Sequence, residues 1–167
     1  MTHRMGLVIL WLALFVSGCF PSSNIMSYQP KNPEEARVVS ELMKIPNGIN
    51  TKSVDVLMQP YADDVYIGNF HKYIGVASPS APRTISKAEL RQAYTQLFKS
   101  TKGLSAEMRN FQLTVSGDRA VAEARLEVLY KIEAGRLEQR EDTLRNDVTW
   151  RLQNTPAGWK IKEEIFQ

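Results

Sequence analysis

The chain has 167 residues, of which 43% are hydrophobic and 23% charged, with a formal net charge of +3. This length fits one domain with a substantial hydrophobic core. Basic and acidic residues nearly balance, at 21 against 18, and no dense run of Lys or Arg is present. The composition therefore argues against nucleic-acid binding. Cys19 is the only cysteine, which excludes a disulfide within one chain.

The first eighteen residues have the order of a secretory signal. Arg4 supplies a positive charge, residues 7–16 are apolar, and Ser17 and Gly18 are small. The apolar run is shorter than the ~20 residues that a membrane-spanning helix needs. The alternatives are an uncleaved membrane anchor and a buried helix.

The residues Val16-Ser17-Gly18-Cys19 resemble the lipobox of bacterial lipoproteins. The resemblance implies that residues 1–18 are removed and that Cys19 carries diacylglycerol, with acyl chains such as palmitate. The residue after Cys19 is Phe20 and not Asp. For lipoproteins of this kind, this implies that the protein is sorted to the outer membrane, where it faces the periplasm. Two or more acyl chains would give stable anchoring, and a lipidated Cys19 is no longer a reactive thiol.

Proline and small polar residues dominate the segment that follows, which predicts a tether over residues 19–32 and a domain over 33–167. Asn32 and Pro33 are typical of a helix start. The pattern predicts that this helix stops at Ile45-Pro46-Asn-Gly48 and that a second short helix begins at Thr51. A strand over 64–70 and a long loop over 71–82 are expected next.

The clearest helix signal begins at Ser86, which forms a capping box with Glu89 and precedes apolar residues at helical spacing. From Leu104 the period changes to two. Half-buried antiparallel strands are predicted over 104–116, 120–132, 137–152 and 159–166. In the last strand, the alternation places Glu163 on the face of Trp159 and Glu164 on the opposite face.

Three local phrases accompany this order of elements: Tyr61-Ala-Asp-Asp-Val65, Gly117-Asp-Arg-Ala-Val121 and a hairpin from Trp150 to Ile161. They resemble the nuclear transport factor 2-like superfamily, which includes polyketide-cyclase-like domains, over residues 33–167. The resemblance implies an α+β fold with a cone-shaped, curved antiparallel sheet wrapped around N-terminal helices. Members include isomerases, dehydratases, cyclases and non-enzymatic binding or dimerisation domains, so the fold leaves the function open.

Catalytic members of the superfamily use an Asp or a His beside a Tyr. If Val148 and Trp150 point inward, Asn146 and Asp142 share their face, where they could orient a ligand; alternatively they lie past the sheet edge. His71 is a candidate base or an exposed loop residue. Aromatic side chains could line a pocket or form plain core. The candidate pocket residues are Tyr66, His71, Tyr94, Tyr130, Asp142, Asn146 and Trp150.

Asp63 and Asp64 could be paired carboxylates for acid–base work, or could face water. His71 is the only histidine after residue 18, so neither a zinc-like cluster nor a cofactor is predicted. No catalytic residue is assigned from these patterns.

Three functions follow from these observations. The leading one is a lipid-anchored binding or interaction domain, which holds a small apolar molecule in the cone or uses the sheet face for a homodimer or a protein partner. The second is an isomerase, dehydratase or cyclase with His71 or Asp142 as base. The third is a structural part of an envelope assembly. An ionisable group inside the cone within reach of a tyrosine would favour the enzyme.

Overall fold

The computed structural model describes residues 24–73, 82–133 and 139–167. The predicted signal peptide and Cys19 lie outside this range. A 3-10 helix, Ile25–Ser27, precedes five α-helices and six strands. The helices are α1 (Pro33–Leu42), α2 (Lys44–Asn50), α3 (Val54–Met58), α4 (Phe70–Tyr73) and α5 (Lys87–Ser100). The strands are β1 (Tyr61–Gly68), β2 (Thr84–Ile85), β3 (Gly103–Ser116), β4 (Arg119–Glu133), β5 (Gln139–Thr155) and β6 (Gly158–Phe166).

The six strands form one curved sheet in the order β2-β1-β6-β5-β4-β3. The predicted sheet is antiparallel throughout, but β1 and β6 run parallel. The sheet is therefore mixed. A tight hairpin connects β5 to β6, and β6 lies beside β1. The predicted α+β class with a curved sheet is confirmed.

The N-terminal helices differ from the prediction at Pro46 and Gly48. The sequence there predicts a helix stop, but both residues lie inside α2, which begins at Lys44. Pro46 is in the first turn, where its missing N–H costs no helical hydrogen bond. Gly48 allows α2 to touch α3, since a Cβ on it would lie 2.6 Å from the backbone nitrogen of Leu57. The third helix is capped by Ser53, two residues after the predicted start.

Residues 24–28 fall in the predicted tether but pack on the domain. Ile25 is 1% exposed and belongs to the hydrophobic core. The ring of Tyr28 meets that of Phe111 edge to face, with centroids 5.0 Å apart. This part of the segment is consequently a docked element, and the domain boundary at residue 33 stays a prediction.

One edge of the sheet is covered by α2. The side-chain Oδ1 of Asn50 accepts a hydrogen bond from the backbone N–H of Ala106 at 2.5 Å, and its Nδ2 donates to the backbone oxygen of Ala106 at 3.2 Å. The amide thereby takes the place of a neighbouring strand beside β3. At the other edge, β2 is only two residues long.

The core lies between the helices and the inner face of the sheet. Its larger fully buried side chains include Trp150, Tyr61, Phe111, Phe166 and Met108. Over residues 24–73, 82–133 and 139–167, none of the helices has the length and apolar character needed to cross a membrane.

Candidate functional site

A β-bulge in β6 determines which acidic residue points into the core. Arg151 pairs with Glu163, but its neighbour Leu152 pairs with Ile161, so Lys162 is an extra residue in β6. An extra residue reverses the alternation of side chains beyond it. Glu164 is therefore inside and 2% exposed, and Glu163 lies toward Arg151 on the outer face. The predicted assignment of these two glutamates was wrong for this reason.

The buried carboxyl of Glu164 is hydrogen-bonded through Oε1. This atom accepts from the indole Nε1 of Trp150 at 2.7 Å and from the hydroxyl of Tyr61 at 3.1 Å. Its Oε2 is buried without a hydrogen-bond partner among the residues that the structure describes. Burial raises the pKa of Glu164 to about 7, although the two donated hydrogen bonds act in the opposite direction. The group can therefore exchange a proton near neutral pH.

Two further tyrosines lie close to this carboxyl. The hydroxyl of Tyr94, from α5, donates to that of Tyr73, from α4, at 2.8 Å. Burial raises the pKa of both phenols, and the charge of Glu164 adds to the increase. The ring of Tyr73 also stacks near Phe166, with centroids 4.9 Å apart. These aromatic residues pack beside the carboxyl of Glu164. We refer to Glu164, Tyr61, Trp150, Tyr73 and Tyr94 as the interior cluster.

Three of the predicted pocket residues are buried on the inner side. Trp150 and Tyr94 belong to the interior cluster. Asn146 is buried on the same face of β5 as Val148, opposite Leu126 of β4, which agrees with the strand parity used to predict it. Tyr66, in contrast, is 51% exposed and lies on the outer face of β1. It does not line the interior, because the buried positions of this strand are its neighbours Val65 and Ile67.

The remaining candidates lie away from the interior cluster or at its margin. Tyr130 and Asp142 are directly opposite each other on β4 and β5, near the end of that hairpin, and both are half-buried. The Oδ1 atom of Asp142 accepts the backbone N–H of Thr143 at 2.8 Å. His71 lies in α4 instead of a loop and is half-buried, and its Nδ1 has no hydrogen-bond partner among the described residues.

A surface cleft of about 530 Å³ lies on the far side of Tyr61. It contains Asp63 and Asp64, but each is ion-paired with a lysine, Lys87 at 2.9 Å and Lys162 at 2.6 Å. Hydrogen bonds from these ammonium groups hold the pKa of both carboxyls below its usual value. The two aspartates are therefore ionised and exposed, as the solvated interpretation predicts, and they do not share a proton.

The outer face of the sheet is dominated by ion pairs. Arg125 donates to Asp147 through two nitrogens, at 2.9 and 3.0 Å, and Arg151 pairs with Glu163. Val121 and Leu129 are partly exposed between them. Within the part of the chain that the structure describes, no group of three or more His, Cys, Asp or Glu side chains could hold a metal ion.

Sequence reasoning missed Glu164 and Tyr61 as site residues. The available signal was the pair Glu163-Glu164 in a strand flanked by aromatic residues, since two acids in a row require one to face each side of a sheet. Periodicity alone places Glu163 on the face of Trp159, because it has no means of detecting a bulge. Tyr61 lies before the strand predicted over 64–70, whereas it is the first residue of β1.

The fold and its interior place this protein in the class of nuclear transport factor 2-like α+β domains. The model of the SnoaL-like domain family matches residues 48–165. The chain therefore belongs to the SnoaL-like domain family. None of the curated proteins searched matches it.

Solved structures share the fold at low sequence identity. A candidate aromatic ring hydroxylase from Novosphingobium aromaticivorans is 17% identical with a TM-score of 0.66, over 83% of this chain and 91% of that one. A candidate dehydratase of the NTF2-like family from Streptomyces avermitilis is 15% identical with a TM-score of 0.63, over 80% and 94%. Kfla4162 from Kribbella flavida is 14% identical with a TM-score of 0.66, over 80% and 89%. At these identities, the likeness concerns the fold alone.

Proposed function

We propose that this chain is a lipid-anchored envelope protein whose SnoaL-like domain binds a small, largely apolar molecule inside its curved sheet, with Glu164 as the polar contact. The single observation that carries the binding proposal is the Oε2 atom of Glu164, which is buried and has no partner within residues 24–73, 82–133 and 139–167. Buried polar atoms in native proteins nearly always have a partner, because an unmade hydrogen bond costs about 1–3 kcal/mol. A hydroxyl or carbonyl oxygen of a ligand would supply that partner.

The surroundings of Glu164 fit such a ligand. Ligand sites are mostly apolar with a few polar groups that fix orientation, and here Phe70, Tyr73 and Phe166 pack against one another beside the carboxyl. Protonated Glu164 would donate to a carbonyl oxygen, whereas the carboxylate would accept from a hydroxyl. A pKa of about 7 makes both forms available at neutral pH.

Access to Glu164 would require α4 to move. This helix has only four residues, and its Phe70 and Tyr73 are buried in the core, where Tyr73 packs against Tyr94. Displacing them costs free energy, which an apolar ligand would offset by filling the same space. We expect a ligand to displace α4 and leave the strands in place.

Acid–base catalysis is a second candidate, because the interior contains an ionisable group 3.1 Å from a tyrosine hydroxyl. Of the two bases predicted from the sequence, His71 has no partner on Nδ1 among the described residues, and Asp142 lies near the end of the β4–β5 hairpin. With a pKa near 7, Glu164 could remove a proton next to a carbonyl, or protonate a departing hydroxyl. The names of the solved structures include a candidate dehydratase and a candidate scytalone dehydratase, which favours a reaction of this type.

Native mass spectrometry of residues 20–167, purified without added ligand, tests the binding proposal. We expect a small-molecule mass to be retained by the wild type and by Glu163→Leu, and to be lost from Glu164→Leu. Circular dichroism must show that both variants are folded. An empty wild-type chain, or equal retention by the two variants, would contradict the proposal. A dimeric mass without ligand would favour the sheet-face partner instead.

The retained molecule also separates binding from catalysis. It is extracted, returned to fresh wild-type chain, and followed by NMR for new signals. Chemical conversion by the wild type, lost in Glu164→Gln with binding retained, supports catalysis. An unchanged spectrum over many equivalents supports binding alone.

The lipid anchor is proposed from the resemblance of residues 16–19 to a lipobox. Cells are fed an alkyne analogue of palmitate, and labelled proteins are detected after click coupling. We expect the wild type to be labelled and to fractionate with the outer membrane, and Cys19→Ala to be unlabelled. Label retained by Cys19→Ala, or a wild type without label, would refute lipidation at this residue. Because Phe20 follows Cys19, Phe20→Asp should move the protein to the inner membrane.

A further inference from the structure

The segment that follows the proposed lipid site is fastened to the domain from Asn24 onward. Asn24 caps the 3-10 helix by accepting the backbone N–H of Met26 at 2.9 Å. Ile25 is part of the hydrophobic core. Tyr28 donates its hydroxyl to Glu35, a buried residue of α1, at 3.1 Å. Residues 24–28 therefore move with the domain.

Only five Cα–Cα steps separate Cys19 from Asn24. At no more than ~3.6 Å per step, they span at most ~18 Å. A domain of this size is about 35–40 Å across, from the usual scaling of the radius of gyration. A connection running to residue 33 could reach ~50 Å and let any face approach the membrane. The short connection instead restricts the approach to the face that carries Asn24.

That face has features that suit a phospholipid surface. Met26 is 67% exposed, the most exposed large hydrophobic side chain among the described residues. It borders a hollow of about 200 Å³, whose other lining residues include Pro46, Asn47, Ser105 and Glu107. The carboxylate of Glu107 is paired with Arg109. Apolar side chains at the headgroup boundary add to anchoring by burying area. Lys52 and Lys102 lie near the same end of β3, where the ammonium group of Lys52 donates to the backbone oxygens of Thr101 and Lys102.

We infer that the face formed by Met26, Pro46, Asn47 and Ser105 lies against the phospholipid surface into which the lipid of Cys19 is inserted. The inference rests on the proposed lipidation of Cys19. It fixes the orientation of the domain, since β3 runs from this face toward the exposed turn at Gly117. Ser116 lies ten residues along β3 from Ala106, a contour of up to ~33 Å, and faces the periplasmic solvent.

Spin labels on the full, lipidated chain test this orientation. The labels are placed at Met26→Cys and, as a matched control, at Ser116→Cys, because a lipidated Cys19 leaves only the new thiol reactive. The protein is reconstituted in vesicles of phosphatidylethanolamine and phosphatidylglycerol. The measured quantity is accessibility to oxygen relative to a water-soluble nickel chelate. We expect a ratio several-fold higher at position 26 than at position 116.

Equal, water-like ratios at both positions on protein whose intact mass includes the lipid would overturn the inference and leave the lipid anchor standing. An intact mass without lipid would overturn both. A label at position 26 that is accessible to water in vesicles but immobilised in whole envelopes would overturn the inference. It would indicate that a protein partner, and not phospholipid, covers this face.

A second variant checks the role of chain length. Ten Gly/Ser residues inserted between Ser23 and Asn24 extend the reach to ~54 Å without altering Cys19 or the docked segment. The ratio at position 26 should then fall to the value at position 116. An unchanged ratio would show that the short connection does not hold this face, and would overturn the inference.

Discussion

Replacing Glu164 by Gln tests whether the interior carboxyl is protonated in the folded protein. Burial raises the pKa of this group from 4.5 to about 7. In the unfolded chain the side chain is exposed and has its ordinary pKa. Between these two values, the folded protein binds a proton that the unfolded chain lacks. Stability therefore falls as the pH rises through this window.

The expected size follows from the two pKa values. At about 1.4 kcal/mol per unit, the shift corresponds to a loss of ~3 kcal/mol between pH 4.5 and pH 7. The contribution is fully present below pH 4.5 and is lost above about pH 7. Gln keeps an acceptor for Tyr61 and Trp150 but does not titrate. The variant should match the wild type within ~1 kcal/mol at pH 4.5 and exceed its stability by ~3 kcal/mol above pH 7.

Urea unfolding of residues 20–167 at several pH values, followed by tryptophan fluorescence, gives these free energies. Glu163→Gln is the matched control, since this neighbour lies outside and its curve should run parallel to that of the wild type. The reasoning fails if the difference between wild type and Glu164→Gln is the same at pH 4.5 and pH 8. It also fails if Glu163→Gln shows the pH dependence instead.

Two further substitutions test the packing of α2. Gly48→Ala should destabilise the domain by ~2 kcal/mol, since the new Cβ meets the backbone of Leu57 at 2.6 Å; a raised melting temperature, as helix propensity alone would give, contradicts this. Asn50→Leu should cost ~1–3 kcal/mol, because both backbone groups of Ala106 lose their partner. Asn47→Leu, an exposed neighbour in α2, is its control and should have little effect in the same unfolding assay.

The elements set by local chemistry were predictable. The capping box at Ser86 and Glu89 is present in α5, with both reciprocal hydrogen bonds. The long alternation from Leu104 to residue 152 corresponds to β3, β4 and β5, because one face of these strands packs on the core. Local side-chain contacts and a two-residue period suffice to define such elements.

The features that depend on distant parts of the chain were not predictable. Pro46 and Gly48 are ordinary helix breakers until α3 is packed against α2, which requires a residue without a side chain at position 48. The parallel pairing of β1 with β6 joins positions about a hundred residues apart. The bulge at Lys162 is a property of pairing between strands, and it decides which glutamate enters the core. The sequence therefore indicated the types of residue in the site, but it did not identify Glu164 as the buried acid.

Each edge of the sheet has a feature that limits strand pairing between copies of this protein. An open edge offers unpaired backbone groups that recruit another strand and can begin fibrous aggregation. Asn50 occupies the position of such a strand beside Ala106, and β2 is too short to template one. If Cys19 is lipidated as proposed, copies in the same leaflet would be confined to two dimensions, at a high local concentration. Contacts between copies through the charged outer face would then weaken as the ionic strength rises.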